Sequence, residues 1–252
     1  MSRCVSGNAD SILADDATAF LPEQASLEAL REAARNCRAC DLWRYATQTV
    51  FGEGPEDTSI FFVGEAPGDR EDREGHPFVG PAGREFDKAL AAVGLDRGEV
   101  YVTNAVKHFK FQERGKRRIH QRPDAKEIKA CRPWVHAELE VVRPEVVVLL
   151  GATAGKALLG STFRLMAQHG TPLESDLAPV VIATIHPSAI LRAPDGEARQ
   201  AQRELFTEDL RIAAKTLASN CQPATRRRHA PSPARAPRPT AARGGRSRVP
   251  RA

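Results

Sequence analysis

The stretch SIFFVGEAPGD, residues 59–69, decides the fold. Its opening run is almost wholly apolar and lacks the in–out alternation of a strand with one wet face. Residues 59–63 therefore read as a strand buried on both sides of a parallel sheet. The chain then turns polar at once, with GEAPGD at 64–69. Open parallel sheets gather their ligand groups in the crevice beyond the carboxyl ends of the strands. Three more segments repeat this construction, 100–105 (VYVTNA), 145–150 (EVVVLL) and 179–185 (PVVIATI). Helical patterns separate them at 82–93, 124–142 (with Pro133 inside) and 153–159, and a last helix covers 197–217. A short amphipathic helix at 26–35, with Ser26 as its N-cap, precedes them all. Strand alternating with helix predicts an α/β chain, a three-layer α/β/α domain around a central four-stranded parallel sheet.

At 252 residues the chain holds one such domain with room for tails. The expected division is a flexible leader at 1–23, the domain at 24–218 and a basic tail at 219–252. Residues 222–252 carry nine Arg and no Asp or Glu, which leaves 28 basic against 32 acidic residues elsewhere. With many Pro, Ala and Gly and few large apolar side chains, that tail reads as disordered. It would either draw nucleic acid in a salt-sensitive way or form a merely solvated terminus. There is no run of 18 apolar residues and no signal-like start, so the expected location is the cytoplasm of a bacterium, close to the nucleoid. No membrane contact is expected, and a monomer is.

Neither GxGxxG at a strand end nor GxxxxGK[ST] occurs, so dinucleotide and P-loop chemistry are not indicated. The five cysteines, at 4, 37, 40, 131 and 221, do not suggest a disulfide framework in a cytoplasmic chain. Cys37-Arg-Ala-Cys40 has chelate spacing, Cys131 could complete a site in space, and His108 could reach it. Zinc and iron–sulfur clusters both accept such a set.

The strand ends supply the candidate chemistry. Glu65, Asp69 and Asp72 follow the first strand, where a carboxylate can orient a water, balance a developing cation, or simply stabilise a turn. Phe78, in HPFVGPAG, could stack on a planar ligand or pin its loop to the core. Asn104 ends the second strand, and its amide offers donor and acceptor together to the edge of a nucleobase, or caps a turn. Residues 107–122, KHFKFQERGKRRIHQR, hold seven Lys or Arg, one Glu and two Phe. Such a segment suits single-stranded nucleic acid through phosphate contact and base stacking, or it is a solvated face. His120 closes it and is eligible as a phosphate contact, a general base or a nucleophile. His186, restrained by Pro187, could donate to an oxyanion or be a satisfied core histidine.

Taken in order, GEAPG, PFVGPAG, TNAVK, ACRPW and HPSAILR resemble the motifs of the uracil-DNA glycosylase superfamily, in its iron–sulfur family-4 type. The likeness runs from about residue 37 to 215. The GKRRIH segment after KHFKF resembles the insertion of the UdgX branch, whose members bind uracil-DNA covalently. This resemblance implies the three-layer fold and assigns roles by position. Phe78 would stack on a flipped uracil and Asn104 would read its edge, with Gly64 and Ala66 among the substrate-binding positions. Glu65 and His186 would be catalytic, His120 would bond to the sugar, and Arg118 would support it. A [4Fe–4S] cluster would sit on Cys37, Cys40, His108 and Cys131. Two positions depart from the pattern, Ala66 where the branch has Gln and His108 where family 4 has Cys.

The expected activity is thus uracil excision from DNA, preferably single-stranded, ending in a covalent His120 adduct. The alternatives are a conventional multiple-turnover family-4 glycosylase, in which Glu65 positions water, and a non-catalytic binder of single-stranded nucleic acid.

Overall fold

The computed structural model describes residues 16–220. Cys4, Cys221, the first part of the expected leader and the Arg-rich tail lie outside them. The described elements are, in order, α1 (Leu27–Ala34), β1 (Ile60–Gly64), α2 (Asp69–Glu74), α3 (Pro81–Ala92), β2 (Tyr101–Asn104), β3 (Phe111–Arg114), β4 (Arg117–His120), α4 (Ala125–Val142), β5 (Val146–Leu150), α5 (Ala152–Leu159), α6 (Leu165–Gln168), β6 (Val180–Thr184), α7 (Ser188–Arg192) and α8 (Gly196–Asn220). Four strands form one parallel sheet in the order β2-β1-β5-β6. The expected three-layer α/β/α architecture is what the chain adopts.

Side-chain alternation along each strand explains why the strands look continuously apolar. Ile60, Phe62, Val100, Val102, Val146, Val148 and Ile182 point to one face and pack with Phe86, Leu90, Ile190, Phe206 and Leu210 of α3, α7 and α8. Phe61, Val63, Tyr101, Val147, Leu149 and Val181 point to the other and pack with Val135, Leu139, Ala154 and Ala157 of α4 and α5. The α1 helix lies outside α4, its Leu30 and Ala34 clustering with Trp134 and Cys131. Within the stretch expected as a leader, Ala17–Phe20 form a 3-10 turn capped by Asp16, and Ala17 is fully buried in that same cluster. The α4 helix starts on a capping box, Asp124 accepting from the N–H of Glu127 while Glu127 accepts from that of Asp124.

The chain leaves β1 toward β2, crosses back over β1 to β5, and continues outward to β6. The strand order therefore reverses at β1, and the crevice opens beyond Gly64, between Asn104 of β2 and the β5–α5 turn. Within the basic segment 107–122 the chain forms a hairpin. β3 and β4 pair antiparallel with Phe111 opposite His120, and Gly115 in the turn has φ +59°.

Candidate active site

Gly64 is the floor of the site. Opposite Asn104 in the sheet register, it has no side chain because two groups fold over it. A Cβ there would stand 2.3 Å from Asn104 Oδ1 and 2.7 Å from Phe78 Cζ. Asn104 shares the β2 face of Val100 and Val102, so its amide turns toward the α3 side, where Phe78 lies. The residue as a whole is buried, but its amide atoms are not sealed from the crevice, and none of the side-chain hydrogen bonds among the described residues involves them. Phe78 is held in a left-handed backbone conformation, φ +59°, which costs a non-glycine residue about 1–2 kcal/mol. Two neighbours impose it. A Cβ on Gly83 would stand 1.6 Å from the Phe78 carbonyl oxygen, so only glycine lets α3 begin there. The buried Glu71 carboxylate accepts from the N–H of Gly80 at 2.9 Å and ties the loop from inside. The Phe78 ring lies 5.3 Å from that of Phe86 and 5.9 Å from the imidazole of His186.

His186 follows β6 and is fixed by the residues after it. The Ser188 N–H donates to its Nδ1 at 3.2 Å, and the Ser188 hydroxyl lies 2.7 Å from the same nitrogen. Arg192 donates to that hydroxyl oxygen, which directs the Ser188 proton onto His186. Nδ1 is thus an acceptor, and the proton of the neutral ring sits on Nε2. Burial, then the nearby Arg192 and His120, push this imidazole down to about 3. It is a neutral donor throughout the physiological range.

Glu65 stands at the rim. Its Oε2 accepts from the Thr153 hydroxyl at the start of α5 and lies 3.7 Å from Arg122 Nε, while its Oε1 is 4.0 Å from His120 Nε2. His120 ends β4, with its ring 5.9 Å from that of Phe109. Partial burial holds it below the ordinary histidine value, opposed by Glu65 and assisted by Arg192. Arg118, two residues earlier on the same strand face, does not turn to the crevice. Its guanidinium bonds Asp69 at 2.5 Å, Asp72 at 2.7 Å and Thr47 at 3.1 Å, and stacks near Phe109 and Phe111. It fastens the hairpin to α2. Ala66 packs against the α1–α4 cluster. Glu65, Phe78, Asn104, His120 and His186 therefore meet around Gly64, with Arg118 behind them. Sequence reasoning missed Thr153, which opens the helical pattern read at 153–159, and it missed Glu71.

The expected metal site requires correction. Cys37, Cys40, His108 and Cys131 do line one enclosed gap with Trp134 and Lys107. Among the described residues, however, no group of three or more His, Cys, Asp or Glu side chains stands so as to hold a metal ion. The four side chains are engaged with protein or kept neutral. Cys131 Sγ accepts from the Lys107 N–H, Cys37 Sγ from Trp134 Nε1, and His108 Nε2 lies 3.0 Å from the Thr49 hydroxyl. Burial pushes the thiols of Cys40 and Cys131 up to about 11 and about 12, and His108 down to about 4. Cys37, Cys40, His108 and Cys131 therefore do not form the expected [4Fe–4S] site, and the iron–sulfur type expected with it is not borne out.

The crevice beyond β1 matches a known family. Residues 51–211 fit the model of the uracil DNA glycosylase superfamily, and the chain belongs to that superfamily, in its family 4. It is 37% identical over 175 residues to a type-4 uracil-DNA glycosylase of Thermotoga maritima, covering 69% of this chain and 88% of that one. A type-4 enzyme of Sulfurisphaera tokodaii is 32% identical over 194 residues, 74% and 82% of the two chains. One from Archaeoglobus fulgidus is 36% identical over 180 residues, 67% and 85%. These relatives carry the type-4 description and give no support to the narrower UdgX assignment, which is corrected to family-4 membership. They are largely archaeal, so the bacterial setting expected from the sequence is not carried by them. No helix among the described residues is long and apolar enough to cross a membrane.

Proposed function

We propose that this protein is a uracil-DNA glycosylase that hydrolyses the N-glycosidic bond of deoxyuridine in DNA and turns over repeatedly. The observation that carries the reading is the convergence of Phe78, the unengaged Asn104 amide and the neutral His186 on the bare surface of Gly64. An enzyme working on a base must take it out of the stack and read its Watson–Crick edge. Phe78 stacks on the extruded uracil. Asn104 accepts from uracil N3–H and donates to O4. Cytosine reverses both partners and would leave buried polar groups unpaired, so it is rejected.

As the C1′–N1 bond breaks, its electron pair leaves with the uracil, and His186 Nε2–H donates to the O2 where charge collects. The sugar becomes cationic. Glu65 balances that charge and aligns a water whose oxygen bonds to C1′, its proton passing to solvent, to give free uracil and an abasic site. The hairpin's exposed Arg114, Lys116 and Arg117 contact phosphates of the strand, and single-stranded DNA is the expected preference. The test compares oligonucleotides carrying one uracil, cytosine or thymine, cleaved by alkali after reaction. Strand breaks at uracil alone, lost in Asn104→Ala, support the reading; equal cleavage at all three bases contradicts it.

A second reading has one observation in its favour, the 4.0 Å approach of His120 to Glu65 on a hairpin fastened by Arg118. Here the imidazole lone pair, rather than water, bonds to C1′, the resulting imidazolium loses its other proton to solvent, and the DNA stays attached. A band that survives heat and detergent in the wild type and vanishes in His120→Ser would favour it over turnover.

A further inference from the structure

Beneath Asn104 lies an ion pair that the catalytic scheme does not use. Lys107 and Glu138 are both fully buried, 1% and 0% exposed, and meet at 2.5 Å. Two charges withdrawn from water this far persist only when every proton and lone pair is met. Here the matching is complete on the lysine. Its three protons go to Glu138 Oε2, to the Thr103 hydroxyl oxygen at 2.5 Å, and to the main-chain carbonyl of Asn104 at 3.0 Å. Glu138 in turn accepts from the Tyr101 hydroxyl at 3.0 Å, from Thr103 at 3.0 Å and from the Gly52 N–H at 3.2 Å.

The pair thus grips β2 from the α4 side. Tyr101 and Thr103 point toward it, and alternation sends Asn104 the other way, into the crevice. Only one ammonium proton touches the Asn104 residue, and it holds the carbonyl that orients the end of the strand. The chain then turns away through Ala105 and Val106, whose N–H groups donate to the carbonyls of Gly64 and Glu65. Those carbonyls belong to the residues that line the floor and the rim.

We infer that Lys107 and Glu138 act as a positioning pair, locking the end of β2 so that the Asn104 amide is preset to the edge of uracil. An apolar pair of the same volume would fill the space equally well and would avoid the desolvation of two charges. What it could not supply is a donor to the Asn104 carbonyl. The inference rests on the reading of Asn104 as the base-recognising residue, and the experiment separates the two.

Lys107→Met alone strands a buried carboxylate and is expected to lower the melting temperature. The informative variant is therefore Lys107→Met with Glu138→Gln, which removes both charges and keeps an acceptor for Gly52, Tyr101 and Thr103. Single-turnover excision of uracil from a single-stranded oligonucleotide is measured for this double variant, for Asn104→Ala and for the triple combination, each well below its melting temperature. A positioning role predicts a loss of about tenfold to a hundredfold in the otherwise wild-type protein and less than twofold in the Asn104→Ala background. Equal losses in both backgrounds, or no loss in either, would overturn it. If Asn104→Ala alone leaves the rate untouched, the base-reading role fails, and the inference falls with it for a visibly different reason.

Discussion

Replacing Gly64 with Ala adds one methyl group and should disable the site while sparing the fold. The backbone of Gly64 lies in the extended region and suits alanine, so no strain arises in β1 itself. The new carbon would stand 2.3 Å from Asn104 Oδ1 and 2.7 Å from Phe78 Cζ, against an ordinary contact of about 3.4 Å or more. The asparagine amide must retreat by about 1 Å or rotate. At that displacement neither hydrogen bond to the uracil edge keeps its geometry. Each is worth roughly 1–1.5 kcal/mol, so about 2–3 kcal/mol of transition-state stabilisation disappears, roughly thirtyfold to a hundredfold in rate. Single-turnover excision on a uracil-containing single strand reads this directly, and thermal melting checks the fold. A Gly64→Ala protein that melts and excises like the wild type would refute both the floor role of Gly64 and the reading role of Asn104.

Other expectations follow from the site's electrostatics. Nitrogen-15 spectra of labelled histidine should keep His186 in the neutral Nε2–H form from pH 7.5 down to about 5; an imidazolium signal appearing near pH 6.5 would contradict the assigned hydrogen bonds. His108 has its folded value depressed to about 4 against an ordinary 6.5, so the unfolded chain takes up a proton first as the pH falls. Stability should accordingly drop between pH 6.5 and 4, by about 3 kcal/mol from this residue, and His108→Gln should flatten that part of the urea-midpoint profile. Arg118→Ala leaves the fully buried Asp72 with only the Thr47 N–H as partner. It should cost about 2–3 kcal/mol and raise proteolysis at the β3–β4 turn, and an unchanged melting temperature would show that the hairpin is held otherwise. Thr153→Val keeps the shape but removes the donor to Glu65. It should slow excision several-fold with little change in KM, and Thr153→Ser should restore the rate.

The sheet was legible because both of its faces are buried, which writes each strand as an unbroken apolar run such as Ile60–Val63. The crevice followed from the polar residues at the strand ends. The hairpin was not legible, since its strands are largely exposed and charged, and only Gly115 and the spacing of Phe111 and Ile119 hint at it. Phe78 could be named, but its left-handed backbone depends on Glu71 and on the contact with Gly83, neither of which leaves a mark in local sequence. The link between Lys107 and Glu138 spans 31 positions and exists only once α4 packs under β2. CxxC spacing suggested a cluster because spacing records neither how deeply the thiols lie nor what else bonds to them. Arg118 carried the right charge for phosphate and was spent on Asp69 and Asp72, which sequence could not pair with it.

Repeated turnover at this crevice is read most directly by counting product per protein molecule. The purified protein is mixed with a twentyfold excess of a labelled single strand carrying one uracil. Samples are split between alkali cleavage and a denaturing gel run without it. The expected result is alkali-labile product that rises well past one equivalent, with no DNA retained on the protein. A plateau at one equivalent, matched by a heat-stable protein–DNA band, would contradict turnover and make His120 the nucleophile; no uracil-dependent product at all would contradict the enzymatic reading itself.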